Sequence, residues 1–267
     1  MKKFVSSLIL FSSLIVLSGC SKNSIDDKTI IVGASPSPHA QILEQIKDDV
    51  SAKGYTLEIV EFSDYYLPNI ALQSGEIDAN YFQHLPYLLD FNKNNNTDLV
   101  SVFALHFEPL GIYSSKHLQI NNIEYGSKIA IPNDTSNEAR ALLLLEANNL
   151  ITLKNNAGFE TSLNDIEDNP YGIIFSEIEA VNLPNILPDV DYAIINGNYA
   201  IDAGILDKVI LTESTESEAA LTRANIIAVK NGNQEKEAIK VLIECLATSK
   251  VKKYIEETFG SSVIPVF

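Results

Sequence analysis

The chain has 267 residues, and its 35 aspartate and glutamate residues outnumber 19 lysine and arginine residues, giving a formal net charge of −16. This length suits one or two domains with a substantial core, and 46% hydrophobic residues are too many for a disordered chain. The acidic balance argues against nucleic-acid binding, which requires a basic surface. Two cysteines, Cys20 and Cys245, are too few for a disulfide framework or a cysteine-based zinc site.

The first twenty residues have the pattern of an export signal. Two lysines precede an uncharged apolar run over residues 4–16, which is shorter than the about 20 residues of a transmembrane helix. The run ends in Leu-Ser-Gly-Cys20, which resembles a bacterial lipobox, where a peptidase cuts before a cysteine that carries lipid. We predict a signal peptide over residues 1–19 and a lipidated tether over residues 20–28. The alternative is an ordinary signal or anchor helix with an incidental cysteine.

The rest of the chain alternates between strand-like and helix-like segments. Predicted strands cover residues 29–34, 55–62, 77–82, 99–107, 111–114, 128–132, 172–178, 192–196, 209–213 and 226–230. Predicted helices cover residues 39–52, 67–74, 84–91, 137–149, 199–204 and 234–258. This order predicts an α/β fold with mainly parallel sheets, in which ligands bind at the carboxyl ends of the strands.

The sequence has none of the motifs that usually mark catalysis or cofactor binding. It contains no Gly-x-Ser-x-Gly elbow, no His-Glu-x-x-His pair, no phosphate-binding loop and no dinucleotide fingerprint. Its four histidines are scattered, and no two of them are spaced i, i+4 to hold a metal. We therefore predict no catalytic residues, no metal and no cofactor, and the pattern favours a binding protein over an enzyme.

The segment after the strand ending at Pro132 suggests an anion site. Thr135 and Glu138 have the spacing of a capping box at the start of a helix. Arg140 would then lie in the first turns, near the positive end of the helix dipole, where a cation is unfavourable unless an anion joins it. Arginine can hold a carboxylate through two parallel hydrogen bonds. The alternative is a surface arginine paired with Glu138 or a neighbouring acid.

A second segment places aromatic residues around a strand-to-helix turn. Tyr81, Phe82, His84 and Tyr87 lie within seven positions of one another. Rings at such a turn can form the wall of a small pocket and contact a polarizable sulfur atom. Packing of a short helix explains them equally well, and His84 alone would be a structural histidine.

Short strings of distinctive composition follow one another along almost the whole chain after Cys20. They are Gly33-Ala-Ser-Pro-Ser-Pro-His-Ala40, Asp64-Tyr65, Leu67-Pro68-Asn69, Gly75-Glu-Ile-Asp-Ala-Asn80, Phe82-Gln83-His84, Pro86-Tyr87-Leu88, His106-Phe-Glu-Pro109, Tyr113-Ser114, Pro132-Asn133-Asp134, Asn137, Arg140-Ala-Leu-Leu-Leu-Leu145 and Ala193-Ile-Ile-Asn196-Gly-Asn-Tyr-Ala200. In this order they resemble the methionine-binding lipoproteins of ABC importers, the NlpA family. The resemblance implies a two-lobed, periplasmic-binding-protein-like α/β fold of type II, with the ligand cleft between the lobes. Lobe 1 would comprise residues 29–114 and 225–267, and lobe 2 residues 115–224.

The resemblance also implies roles for eight ligand-binding residues. Arg140 would bind the carboxylate of an amino acid, and Asn196 and Asn225 would bind its head group. By themselves the two asparagines are typical turn residues beside strands. The side-chain pocket would be lined by Tyr65, Phe82, His84, Tyr87 and, as a further member, Phe107.

The chain departs from the family pattern at three positions. Thr135 and Ala139 stand where proline and glycine are common, and Asn185 replaces the usual arginine of the Leu-Pro-Arg string. None of the three departures touches Arg140 or the aromatic residues, but together they leave the fine specificity open.

The function implied by the resemblance is capture of methionine, as the L-enantiomer, and its delivery to an ABC permease with its ATPase subunit. The protein would be a monomer, lipid-anchored on the extracytoplasmic face of the cell membrane. Close variants would bind D-methionine or a methionyl dipeptide. The alternatives from other classes are a same-fold enzyme using Asp64, Glu108 or His84 as acid and base, and a surface adhesin.

Overall fold

The structure is a computed structural model that describes residues 28–155, 157–215 and 222–267. The predicted signal peptide, the lipidation site Cys20 and the tether up to Asp27 lie outside the described residues. In the described part of the chain, no helix is long and apolar enough to cross a membrane.

Strands and helices alternate as predicted over most of the chain. The strands are β1 (Thr29–Ala34), β2 (Thr56–Glu61), β3 (Ala79–His84), β4 (Leu99–Phe107), β5 (Gly111–Tyr113), β6 (Lys128–Pro132), β7 (Thr152–Leu153), β8 (Ile166–Asp168), β9 (Ile174–Ile178), β10 (Tyr192–Ile195), β11 (Val209–Thr212), β12 (Asn225–Lys230) and β13 (Ile264–Pro265). The α-helices are α1 (Gln41–Glu44), α2 (Lys47–Ala52), α3 (Leu67–Ser74), α4 (Leu85–Asn95), α5 (Thr135–Ala147), α6 (Leu183–Ile186), α7 (Gly197–Asp202), α8 (Glu237–Leu246) and α9 (Ser249–Phe259).

Local chemistry sets several of these boundaries. α3 ends where Gly75 adopts a left-handed conformation with φ of 83°, as glycine readily does. The single helix predicted over residues 234–258 is two helices, because the chain leaves helical geometry at Ala247 and Thr248 caps α9 by accepting from the Val251 N–H. The helix predicted over residues 39–52 is likewise divided into α1 and α2.

Two large sheets form the framework, and each has its own core. The first has the order β13-β4-β12-β3-β1-β2, and the second has the order β11-β5-β10-β6-β9. The first core includes Ile30 and Leu242, and the second includes Ile129 and Leu142, all with side chains fully removed from solvent. A second hydrophobic cluster lies on the opposite face of each sheet, so helices cover both faces, which is the layered packing of α/β proteins.

Both sheets are mixed, so the prediction of mainly parallel sheets is wrong. β1 pairs in parallel with β2 and β3, and β6 pairs in parallel with β9 and β10. β12 runs antiparallel to β3 and β4, and β5 runs antiparallel to β10 and β11. The antiparallel strands lie at or beside the points where the chain passes between the sheets. The hydrophobic pattern of a strand does not show whether the strand pairs in parallel or antiparallel with its neighbours.

The chain passes from one sheet to the other and later returns. β4 ends at Phe107 in the first sheet, and β5 begins at Gly111 in the second. The predicted lobe boundary after Ser114 would leave β5 in lobe 1, whereas β5 pairs with β10 and β11 of the second sheet. We therefore place the first crossing at residues 108–110. The return lies between β11 and β12, which places residues 225–230 with the first sheet as predicted.

Candidate functional site

About 330 Å³ of empty space, part of it open to solvent, lies between the two sheets and forms a small cavity. Seven of the eight predicted ligand-binding residues line it, and the remaining lining residues are Gln83, Glu108, Asn137, Gly197 and Asn198. The seven are Tyr65, Phe82, His84, Tyr87, Arg140, Asn196 and Asn225.

One wall of the cavity is aromatic. The ring of Tyr65 lies 5.8 Å from the ring of Phe82 and 5.8 Å from the ring of Tyr87, measured between centroids. Tyr87 also donates a hydrogen bond from its hydroxyl to the Tyr65 carbonyl at 3.1 Å. These rings form a connected surface, and such surfaces accept apolar groups and sulfur atoms.

His84 links the aromatic wall to the polar end of the cavity. It ends β3 and caps α4, because its Nδ1 accepts the Tyr87 backbone N–H at 3.2 Å. Its Nε2 lies 3.2 Å from the Asn137 side-chain oxygen. Burial, together with the charge of Arg140, lowers the pKa of His84 to about 3. The ring is therefore neutral at pH 7, with Nδ1 as the acceptor and Nε2–H as the donor.

The N-terminus of α5 is capped differently from the prediction. Asp134, and not Thr135, is the N-cap, and its carboxylate accepts the Asn137 backbone N–H at 3.0 Å. Glu138 instead accepts the Leu163 backbone N–H at 2.9 Å. The predicted capping box of Thr135 and Glu138 is therefore wrong by one residue, because aspartate is also a strong N-cap and precedes the threonine.

Asn137 is held at the cavity by the same cap. Its amide nitrogen donates to the Asp134 carboxylate at 2.9 Å, which directs its oxygen towards His84 and Asn196. The Asn196 amide nitrogen donates to this oxygen at 2.9 Å. The Asn196 side-chain oxygen is buried and has no hydrogen-bond partner in the described structure. A buried acceptor without a donor is costly, so this oxygen is a candidate contact for a ligand donor.

Arg140 is buried, and its guanidinium group is already paired with a glutamate of this chain. Its Nε donates to both carboxylate oxygens of Glu213 at 2.8 and 2.9 Å, and its Nη2 donates to the Glu108 carbonyl oxygen at 2.6 Å. Nη1 forms no hydrogen bond with the described residues. Phe107 lies below the guanidinium, whose Cζ is 5.6 Å from the ring centroid, and it is not among the residues that line the cavity.

The charge of Glu213 is shared with a second arginine. Arg223 Nη1 lies 3.1 Å from Glu213 Oε1. Burial alone would raise the pKa of Glu213, but the charge and hydrogen bonds of Arg140 lower it below its ordinary value. Glu213 therefore stays ionised, and two guanidinium groups converge on it.

A buried cluster of His39, His106 and Glu108 adjoins the cavity. Glu108 Oε1 lies 2.6 Å from His106 Nε2 and 3.4 Å from His39 Nε2, and Tyr81 hydrogen bonds to the other nitrogen of His106. Possible metal ligands from the three residues lie within 4.8 Å of one another, although the sequence predicts no metal site. Hydrogen bonds from the chain itself already occupy both ring nitrogens of His106.

Burial lowers the pKa of both histidines of this cluster, to about 4 for His39 and about 3 for His106. His39 also contacts Asn225, whose side-chain oxygen is 3.1 Å from Nε2. The amide nitrogen of Asn225 is therefore available at the cavity. Both rings are neutral at pH 7, so neither supplies a positive charge to Glu108.

Hydrogen bonds join the two sides across the cavity. The Tyr65 hydroxyl donates to the Asn198 side-chain oxygen at 2.5 Å, and the Tyr199 hydroxyl donates to the Ser63 carbonyl at 3.1 Å. Both bonds connect the loop after β2 with the start of α7, which follow strands of different sheets. The cavity is therefore closed between the lobes by direct contacts.

Five lining residues carried no site prediction. The sequence suggests Glu108 only as an acid or base of the alternative enzyme, and Gly197 and Asn198 follow the predicted Asn196 directly. Gln83 and Asn137 occur in strings that carry the family resemblance. The signal was present for all five, but strings alone do not show which side chains point into a cavity.

Comparisons with known proteins agree with this architecture. The model of the NlpA lipoprotein family matches residues 30–267. The methionine-binding lipoprotein MetQ of Bacillus subtilis is 36% identical over 100% of this chain and 99% of its own length.

Two solved structures extend the comparison to the fold. An ABC transporter periplasmic substrate-binding protein of Coxiella burnetii is 38% identical, with a TM-score of 0.83 over 89% of this chain and 100% of that one. A nutrient-binding protein of Burkholderia cenocepacia bound to methionine is 37% identical, with a TM-score of 0.83 over the same shares. The predicted periplasmic-binding-protein fold is confirmed, and the chain is a member of the NlpA lipoprotein family.

Proposed function

We propose that this protein is the substrate-binding lipoprotein of an ABC importer, and that it captures methionine and delivers it to a membrane permease. The observation that carries the proposal is the closed cavity, which is aromatic at one end and polar at the other. The methionine bound to the Burkholderia cenocepacia relative supports the choice of ligand.

The aromatic end suits the methionine side chain. Tyr65, Phe82 and Tyr87 present ring faces and edges, and a thioether is attracted to aromatic rings by about 0.3–1.5 kcal/mol per contact. We assign these three rings, together with His84, to the side-chain pocket.

The polar end suits the head group of an amino acid. We assign the ligand carboxylate to Arg140, through the Nη1 that its protein contacts leave available, and to the amide nitrogen of Asn225. Phe107 acts indirectly in this proposal, because it supports the guanidinium from below. Asn196 contributes its unpartnered oxygen as an acceptor for a ligand N–H.

The location follows from the N-terminal sequence. We propose that cleavage before Cys20 and lipidation of this residue anchor the protein on the extracytoplasmic face of the cell membrane. There it would act as a monomer and meet a permease that is driven by its ATPase subunit. A Cys20→Ser variant should leave the membrane fraction, and retention of that variant in the membrane fraction would contradict the proposal.

The enzyme alternative has less support from the geometry. Oδ1 of Asp64 accepts the backbone N–H groups of Tyr66 and Leu67 at 2.7 and 2.8 Å, so this carboxylate stabilises the turn that leads into α3. His84 is neutral and caps α4. We propose binding without catalysis.

Calorimetric titration tests the proposal. The full chain, purified in detergent and freed of bound ligand by partial unfolding and dialysis, is titrated with L-methionine, D-methionine, glycyl-methionine and a panel of other amino acids. Saturable binding of L-methionine with recovery of unchanged methionine is expected. Binding of D-methionine or the dipeptide alone would change the ligand, conversion of methionine would favour an enzyme, and no binding by the folded chain would overturn the proposal.

A further inference from the structure

Strand β3 contains a β-bulge at Phe82, one of the aromatic residues of the cavity. In the antiparallel pairing of β3 with β12, Tyr81 lies opposite Ile227 and Gln83 lies opposite Ile226. Phe82 lies between them and has no counterpart in this described pairing. A bulge of this kind bends its strand and changes the direction of the side chains, and bulges are frequent beside active sites. The position of the Phe82 ring therefore depends on the bulge.

The bulge brings two amide side chains to the same face of β3. Residues three positions apart in a regular strand point to opposite faces of the sheet. Asn80 and Gln83 are three positions apart, yet the Gln83 amide nitrogen donates to the Asn80 side-chain oxygen at 2.9 Å. The extra residue explains this contact, because one added residue shifts the alternation of the side chains. The contact and the bulge therefore depend on each other.

Asn69, in the first turn of α3, completes a network of three amides. Its amide nitrogen donates to Gln83 Oε1 at 2.9 Å, and its side-chain oxygen accepts from Gln83 Nε2 at 2.7 Å. Asn80 Nδ2 donates to the same oxygen at 2.8 Å and to the Pro68 carbonyl at 3.3 Å. Asn69 and Asn80 are fully buried, and Gln83 is 3% exposed. The network thus joins α3 to β3 on both sides of the bulge.

The network permits only one orientation of the Gln83 amide. A flip of this amide would direct its oxygen at the side-chain oxygens of Asn69 and Asn80, so both hydrogen bonds that it donates would be lost. Buried polar atoms without a partner are costly, and a fully paired buried network favours one arrangement. Gln83 lines the cavity, but its amide is directed to α3 and β3. Its role at the cavity is therefore indirect.

The two elements that the network joins carry two rings of the aromatic wall. Tyr65 lies in the loop that leads into α3, and Phe82 is the bulged residue of β3. Their ring centroids are 5.8 Å apart. Because the amides fix α3 against the bulge, they also fix the separation of these rings. A wall that cannot shift rejects a side chain that is one methylene too long, whereas a wall that can shift accommodates it.

We propose that Asn69, Asn80 and Gln83 are positioning residues, which set the length of side chain that the cavity accepts by fixing the bulge at Phe82. This inference rests on the proposed function and adds to it a rule for selection among unbranched side chains. Loss of one amide leaves its partners unpaired and frees the bulge to shift, so the discrimination between a longer and a shorter side chain decreases.

L-Methionine and L-ethionine, whose side chain has one more methylene, measure this discrimination. Each is titrated calorimetrically into the full chain of the wild type, of Gln83→Met, of Asn69→Leu and of the double variant. The new side chains are close in size to those that they replace and form no amide hydrogen bonds. Asn92→Leu is the control, because the Asn92 amide makes two hydrogen bonds with the Leu99 backbone, at 2.8 and 3.1 Å, outside the cavity. Melting curves report folding.

The wild-type chain should bind L-methionine about tenfold or more tightly than L-ethionine. In Gln83→Met and in Asn69→Leu this ratio should fall to about threefold or less, and the double variant should match either single variant, because the two amides act as a pair. Asn92→Leu should keep the wild-type ratio, because a loss of stability alone weakens the binding of both ligands equally. A wild-type ratio in either folded variant, or an equal decrease of the ratio in Asn92→Leu, would overturn the inference.

Asn80→Ala provides a milder test if the other variants do not fold. It keeps both hydrogen bonds between Asn69 and Gln83, so the ratio should fall by only about two- to threefold, and an unchanged ratio in this folded variant would overturn the inference. Equal binding of the two ligands by the wild type would also overturn it, while the proposed function stands. If the folded wild-type chain binds neither ligand, the proposed function fails, and the inference fails with it.

Discussion

Arg140 and Glu213 form a buried ion pair that joins α5 to the return segment between the sheets, across 73 positions of sequence. The guanidinium Nε lies 2.8 and 2.9 Å from the two carboxylate oxygens, and the same carboxylate accepts the Leu110 backbone N–H at 3.0 Å. Because Leu110 lies at the first crossing, the pair connects both crossings to the helix that faces the cavity. Arg140 therefore has a structural role beside its proposed role in binding.

Removal of either partner should destabilise the protein. Arg140→Ala leaves Glu213 buried with only Arg223, and Glu213→Ala leaves the buried guanidinium of Arg140 and the partly buried one of Arg223 without their shared acid, so each variant should lose about 3–5 kcal/mol of unfolding free energy. The double variant should lose less than the sum. Urea unfolding of the wild type, the two single variants and the double variant checks this, and additive losses would show that the two residues do not act as a pair.

Gly197→Ala should weaken ligand binding. The added methyl group would lie 2.9 Å from Glu108 Cβ and 2.9 Å from Oε2, closer than packed atoms allow, so Glu108 must move. We expect about a tenfold or greater loss of affinity for L-methionine, because Glu108 lines the cavity and its displacement changes the shape of the site. Calorimetry measures the affinity, and a value equal to that of the wild type would show that the position of Glu108 is unimportant.

Gly75→Ala is the matched control for this glycine substitution. Gly75 has a φ of 83° and open space around it, so the added methyl group meets nothing, but the left-handed conformation becomes unfavourable by about 1–2 kcal/mol. This variant should be less stable and should bind normally. A loss of affinity in Gly75→Ala would mean that loss of stability alone reduces binding.

Tyr87→Ala should discriminate between ligands by their side chains. The ring of Tyr87 lies 5.8 Å from that of Tyr65 and 6.0 Å from that of Phe82, so its removal opens the aromatic wall. Affinity for L-methionine should fall by about tenfold or more, because about 1–2 kcal/mol of side-chain contact is lost, whereas affinity for L-alanine should change little. Equal losses for the two amino acids would contradict this assignment.

Tyr87→Phe separates the ring from its hydroxyl group. This variant keeps the ring and loses only the 3.1 Å hydrogen bond to the Tyr65 carbonyl. Its preference for methionine over alanine should remain close to that of the wild type. Competition calorimetry with both amino acids provides the comparison.

The sequence predicts local features well and long-range pairings poorly. The bounds of α3, β4 and β6 agree with the prediction, because capping residues and apolar runs are local signals. The partnership of Arg140 with Glu213 has no local signal, since it depends on the return of the chain from the second sheet. For the same reason β5 could not be assigned to its sheet, because its three apolar residues fit either core.

The stability of the protein should fall as the pH decreases below about 6.5. Burial lowers the pKa of His39 to about 4 and those of His84 and His106 to about 3, all below the ordinary value of 6.5. The unfolded chain therefore binds more protons than the folded chain between pH 6.5 and these values. The stabilisation is present above pH 6.5, and it declines by about 1.4 kcal/mol per histidine for each pH unit below it.

Two buried carboxyl groups oppose this trend. Burial raises the pKa values of Glu108 and Asp134, so the folded chain takes up these protons at higher pH than the unfolded chain, which offsets part of the loss. Urea unfolding between pH 7.5 and 5 should nevertheless show a net decrease in stability at low pH. His84→Asn keeps an N-cap acceptor for α4 and removes one titrating group. The unfolding free energy of this variant should therefore depend less steeply on pH, by the equivalent of about one proton. A slope identical to that of the wild type would mean that His84 is not kept neutral by the fold.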